Sequence, residues 1–219
     1  MEQIVDLSHV IEHDMITYPG LPGPQISDHL TREASRAVYA AGTEFQIGRL
    51  EMVANTGTYL DTPNHRYATG FDLADLPIEH VVNVPGLCLQ SAGPAVGADL
   101  LDGHDLRGRA VLFATGWDRH WRTDHYGAPE HPYLTNEVAE ALVAAGALVA
   151  GIDSVNIDDT RGTTRPIHST LLEAGILIVE HLTALDRLLG QSFRFFAAPP
   201  KVRGMATFPV RAFAIVDEP

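Results

Sequence analysis

The chain has 219 residues, 45% of them hydrophobic and 20% charged, which suits a folded unit with a real core. Its formal charge of −13 argues against nucleic acid or an anionic membrane as a partner, and no apolar run reaches the ~18 residues of a membrane span. The single cysteine, Cys88, excludes an internal disulfide framework, and its apolar neighbours predict a buried thiol. The N-terminus lacks the basic-then-apolar pattern of a signal peptide, so the expected location is the cytoplasm. Eleven histidines are a first hint of metal or proton chemistry.

In chain order, residues 4–8 read as a first strand and 18–24, rich in Pro and Gly, as a rigid loop. Residues 27–42 are polar and irregular. Residues 45–54 alternate loosely (Phe45, Ile47, Leu50, Met52), as a strand leading into 55–65. Read as extended chain, 55–65 puts Asn55, Tyr59 and Asp61 on one face. Gly57 leaves that face open, Pro63 ends the pattern, and His65 follows on the turn. A half-buried strand with a polar outer face explains the same pattern. Residues 70–79 predict a short helix or turn, 80–90 a strand interrupted at Pro85-Gly86, and 99–106 a helical turn. The apolar run 109–115, between Gly108 and Gly116, predicts a fully buried central strand. The long loop to Tyr133 holds His120, His125 and His131, as site groups or as scattered solvated histidines.

Thr135 as N-cap, Glu137 in the first turn, the stripe Val138, Leu142 and Val143, and Gly146 beyond the end together predict a helix. Residues 147–152 predict another buried strand. Helix then strand with short links implies an α/β fold, in a single domain over 1–219. Asp158 and Asp159 read either as site carboxylates or as part of a solvated loop. Residues 169–174 predict a short helix capped by Gly175, and 176–180 a strand with Ile176, Ile178 and Glu180 on one face. If that face is buried, Glu180 is costly unless paired, protonated or bound to a metal. Residues 193–198 and 210–216 are the final strands, with a loop at 199–205 between them.

Asp61, His65, His168 and Glu180 make a nitrogen and oxygen set that suits zinc or manganese. A metal so held activates water and polarises a carbonyl, and a nearby histidine can move the proton. There is no HExxH, GxSxG, P-loop or CxxC motif.

The stretch Asn55-Thr-Gly-Thr-Tyr-Leu-Asp-Thr-Pro-Asn-His65 resembles the signature His-x-Gly-Thr-His-x-Asp-x-Pro-x-His of the cyclase family of metal-dependent hydrolases, which includes bacterial kynurenine formamidase and isatin hydrolase. Asp6-Leu-Ser-His9, Tyr18-Pro-Gly20, Thr115-Gly-Trp117, Gly151-Ile-Asp153 and the run from His168 to Glu180 resemble further blocks of that family, so the likeness covers nearly the whole chain. The resemblance implies a swivelling β/β/α domain with a mixed central sheet, assembled as a homodimer or larger homo-oligomer. It also implies Asp61, His168 and Glu180 as metal ligands and His65 as acid/base. Asn55 and Tyr59 stand where the signature has its first two histidines, and both are poorer ligands than imidazole.

The resulting expectation is a mononuclear zinc or manganese enzyme hydrolysing an N-formyl or cyclic amide of a small molecule. Asn55 or Tyr59 would contact the substrate carbonyl or the activated water. In a variant of this reading Tyr59 is a phenolate ligand. Trp117, the Tyr18 loop and Phe71 are expected as apolar pocket walls. The alternatives are a ring-closing, dehydrating or isomerising enzyme acting on a carbonyl compound, and a non-catalytic binding protein of the same fold.

Overall fold

A computed structural model describes residues 3–91 and 93–217. Its strands are β1 (Gln3–Asp6), β2 (Gln25–Leu30), β3 (Ile47–Glu51), β4 (Tyr59–Asp61), β5 (Val84–Gln90), β6 (Ala95–Val96), β7 (Ala110–Ala114), β8 (Tyr133–Leu134), β9 (Val149–Ile152), β10 (Leu177–Glu180), β11 (Phe193–Phe196), β12 (Thr207–Pro209) and β13 (Phe213–Val216). The helices are α1 (Arg32–Ser35), α2 (Asn136–Ala145) and α3 (Pro166–Glu173). Nine strands form one mixed sheet in the order β1-β13-β11-β5-β7-β9-β10-β4-β12. β5, β7, β9 and β10 run parallel at its centre, and the flanking pairs are antiparallel.

The apolar run at 109–115 is the central strand it was expected to be, with every residue of β7 buried. Ala110, Leu112 and Ala114 join one core cluster and Val111 and Phe113 the other. Both faces of β7 are covered, so its sequence is continuously apolar rather than alternating. α2 and α3 cover the second face through Val138, Leu142, Ile167 and Leu171. Gly146 ends α2 in the left-handed conformation, at φ 75°. Val143 belongs to the outer side of α2 and is 36% exposed, which corrects its place in the apolar stripe.

Several sequence expectations change. Residues 27–30 are not irregular but complete β2, which pairs with β3 in a separate two-stranded sheet. Both strands are almost wholly exposed, so 45–54 does not lead the chain into the core. Within 55–65 only Tyr59–Asp61 is strand. Gly57 turns the chain at φ 64°, and Pro63–His65 is a 3-10 turn. β12 lies just beyond the anticipated 199–205 loop; three residues are too few to show a period, and as an edge strand it accommodates Pro209. No helix among the described residues is long and apolar enough to cross a membrane.

β5 also runs without a break through Pro85-Gly86. A Cβ at Gly86 would lie 1.9 Å from Cε2 of Phe193, so the glycine lets the β11 aromatic ring lie against the strand. Gly86→Ala should destabilise the fold by about 1–3 kcal/mol through overpacking, read as a lower urea midpoint with an unchanged m-value.

Candidate metal centre

The site is built on the register of β4 between β10 and β12. Asp61 stands opposite Ile178 on one side and Thr207 on the other, and Tyr59 stands opposite Glu180 and Pro209. Strand alternation then puts Tyr59, Asp61 and Glu180 on the same face as Ile178, which packs in the core cluster that α3 covers. α3 brings His168 onto that face from above. It begins with Pro166, whose missing N–H costs nothing at a helix start. The next two N–H groups, of Ile167 and His168, donate to the Asp158 carboxylate at 2.7 and 3.1 Å. The same carboxylate accepts from Nδ1 of His168 at 2.6 Å. Asp158 is fully buried, so it is not part of a solvated loop: it caps α3 and orients the imidazole.

Because Nδ1 of His168 is spent on Asp158, its Nε2 is left facing two carboxylates, Glu180 Oε1 at 3.7 Å and Asp61 Oδ2 at 3.8 Å. These separations are slightly wider than the ~3.3–3.6 Å between ligand atoms of a closed tetrahedral zinc site. Glu180 also accepts from the Ile157 N–H at 2.7 Å and from the Tyr59 hydroxyl at 2.6 Å. Asp61 Oδ1 accepts from Thr207, whereas Asp61 Oδ2 is buried with no hydrogen-bond partner. A buried carboxylate oxygen without a donor is expensive unless a cation meets it. Asp61, His65 and His168 each offer one donor atom within 4.8 Å of the others, and Glu180 reaches this group through His168.

The charges point the same way. Burial pulls the His168 imidazolium down, but Glu180, Asp158 and Asp61 outweigh it and push its pKa to about 10. Burial also opposes the Asp61 carboxylate, yet His168, His65 and Thr207 hold its pKa below the usual value. Glu180 is pushed up to about 7, first by burial and then by Asp61. The cluster gathers negative charge that either a proton on His168 or a divalent cation would relieve, and its donor set fits zinc or manganese.

His65 lies at the mouth of the cluster with its side chain 35% exposed. Its Nδ1 is 2.9 Å from Thr207 Oγ1. An ionised Asp61 only accepts, so the single Thr207 hydrogen goes to Asp61, and His65 Nδ1–H must then donate to Thr207. That leaves His65 Nε2 as the free basic nitrogen. Tyr59 stands within hydrogen-bond reach of Glu180. Burial, Glu180 and Asp61 raise its pKa well above 10, partly offset by Asn55, and the phenol donates to Glu180.

Asn55, Tyr59, His65, His168 and Glu180 line one cavity of about 220 Å³, with Tyr18, Leu21 and Asn156 completing its wall. Asn156 Oδ1 accepts from the Asp158 N–H at 2.9 Å, so its NH₂ is the group it can offer the cavity. The Tyr18 loop is thus a pocket wall, as expected. Trp117 packs instead with Tyr126 and Val155, and Phe71 packs on the main core beside a different cavity. Of the loop histidines, His131 is buried and bonded to Ser154 and Thr160. His120 meets the Trp117 ring edge-on and His125 meets it at a tilt. Asp153 ties two strand ends together by accepting from the N–H groups of Thr115 and Gly116.

The family profile described as "Putative cyclase" matches residues 5–159. A kynurenine formamidase of Bacillus cytotoxicus is 26% identical over 213 residues, 95% of each chain. In three dimensions the chain resembles a potential metal-dependent hydrolase with cyclase activity, with a TM-score of 0.80 and 24% identity over 100% of both chains. It also resembles isatin hydrolase A of Labrenzia aggregata, with a TM-score of 0.83 and 21% identity over 99% of this chain and 94% of that one. These neighbours share the swivelling mixed α/β architecture.

Asp158→Ala should leave His168 Nδ1 and two α3 N–H groups without their acceptor. A stability loss of about 1–3 kcal/mol is expected by denaturant titration, with zinc affinity lowered about 10–100-fold in competition with a chelator.

Proposed function

The chain belongs to the cyclase family, and from that premise we propose that it is a metal-dependent hydrolase of a small N-formyl or cyclic amide. The observation that carries this reading is that His168 Nε2 faces both Asp61 Oδ2 and Glu180 Oε1, with His65 close to Asp61 and His168 and a cavity alongside. Asp61, His168 and Glu180 would hold one zinc or manganese ion. When bound, such an ion supplies Lewis acidity, which acidifies water and polarises a carbonyl. Asp158 fixes the His168 tautomer that exposes Nε2. Tyr59 orients Glu180, and the NH₂ of Asn156 is the donor available to the substrate carbonyl. Thr207 holds His65 with Nε2 free, so that this nitrogen takes a proton from water and returns it to the departing amine.

The residues at the two altered signature positions support a single ion per chain. Asn55 and Tyr59 are neutral, and the phenol is already committed to Glu180. We further place the protein in the cytoplasm as a homo-oligomer. The β2–β3 arm supports the second part of this reading, because it leaves Ile26, Phe45, Ile47 and Leu50 at 46–53% exposure, apolar side chains that a second copy would cover.

Elemental analysis of purified protein should find one zinc or manganese per chain, lost in His168→Ala. Two per chain would overturn the mononuclear reading; none after metal addition would overturn the metal-dependent one. The loaded enzyme should hydrolyse N-formyl aryl amines or lactams, and His65→Ala should lower kcat by about 10²–10⁴-fold with metal content unchanged. Light scattering should give a mass of at least twice the 23.8 kDa chain, falling toward that of the single chain when Ile47 and Leu50 are both replaced by Asp.

A further inference from the structure

A second cavity opens on the same site. It measures about 160 Å³ and is lined by His65, Arg66, Asn156, Arg165 and His168. Each arginine is placed by the backbone that places a site histidine. Arg66 follows His65 at the end of its 3-10 turn, and Arg165 stands at the start of α3, three residues before His168.

Both guanidinium groups are anchored by neutral acceptors. Arg66 Nε donates to Ser169 Oγ at 3.2 Å, and the Ser169 hydroxyl donates in turn to the Arg165 carbonyl at 2.8 Å. Arg165 Nη1 donates to the carbonyls of Gly162 and Thr164 at 2.9 and 2.7 Å. Among the described residues neither arginine has a carboxylate partner, in contrast to Arg36, Arg122, Arg161, Arg203 and Arg211. The remaining N–H groups of both are therefore uncommitted beside the pocket. A guanidinium fork matches a carboxylate in shape and charge.

The two cavities share His65, Asn156 and His168, the groups assigned above to the reacting amide and to the metal beside it. Tyr18 and Leu21 line the first cavity only, and the arginines line the second only. We propose that Arg66 and Arg165 form an anion subsite that binds a carboxylate of the substrate, so that the amide hydrolysed also carries an acid group. This rests on the hydrolase reading for its substrate and on the cavity alone for its anion.

The test pairs a formanilide bearing a ring carboxylate with its methyl ester, and adds calorimetric titration of the metal-loaded protein with benzoate. The wild type should prefer the acid, and the acid-to-ester ratio of kcat/KM should fall by about tenfold or more in Arg66→Gln and Arg165→Gln. Benzoate affinity should fall by a similar factor in the double variant at unchanged metal content, and should be unaffected by Arg187→Gln, an exposed arginine of a different surface turn. Benzoate binding that depends on the two arginines, without hydrolysis of either amide, would uphold the subsite and reject the hydrolase reading. Equal hydrolysis of acid and ester, with benzoate binding indifferent to both arginines, would reject the subsite and leave the hydrolase reading standing.

Discussion

Asp61, Asp158 and Glu180 are all shut away from water and all meet His168. Burying three carboxylates in one place is tolerable only if each oxygen finds a donor or a cation. Asp158 takes its donors from the first turn of α3, so the helix is pinned where it meets the sheet. Glu180 takes one from the backbone of Ile157 and one from Tyr59. Asp61 takes one from Thr207 and is left with a single buried oxygen unanswered. That oxygen lies with His168 Nε2 and His65 in the place where a cation would do most to relieve the cluster, so the electrostatics that complicate the fold also define the site.

The same constraint gives meaning to the two residues that depart from the family signature. A phenol at position 59 is long enough to reach the neighbouring strand and supply a hydrogen to Glu180. Asn55, on the bend before β4, lines the same cavity and partly offsets the rise in the phenol pKa. Together they add neutral polar groups where the signature has imidazoles. Tyr59 thereby meets Oε2 of Glu180, while His168 faces the other oxygen of Glu180 and the unanswered oxygen of Asp61.

His65 belongs to this network without being buried in it. Its outer nitrogen stands between two cavities of different character, one walled by Tyr18 and Leu21 and the other by two arginines. A substrate spanning both would present its middle to the imidazole and to Asn156. Local chain order supports that arrangement, because Arg66 and Arg165 are fixed by the turn and the helix start that carry the histidines.

Much of this was legible in the chain itself. The unbroken apolar run of β7, the glycine that ends α2 and the helix–strand alternation are local signals, set by side-chain periodicity and backbone preference, and they determined the α/β class. The Gly-Thr-x-x-Asp-x-Pro-x-His core and the His168-to-Glu180 block singled out Asp61, His65, His168 and Glu180 through their resemblance to the family's motifs, and Glu180 also because a carboxylate ending an apolar strand needs a partner wherever it lies. The exposed β2–β3 arm was not legible, since a loosely alternating strand reads the same whether its apolar face meets a core or solvent. Nor was the work of Thr207 and Asp158. A threonine in a three-residue edge strand carries no pattern, and an aspartate in a loop looks solvated until the helix it caps is brought onto it. Those two roles were decided only by the tertiary structure, because strand register and helix docking fix which distant polar groups share one small, dry volume.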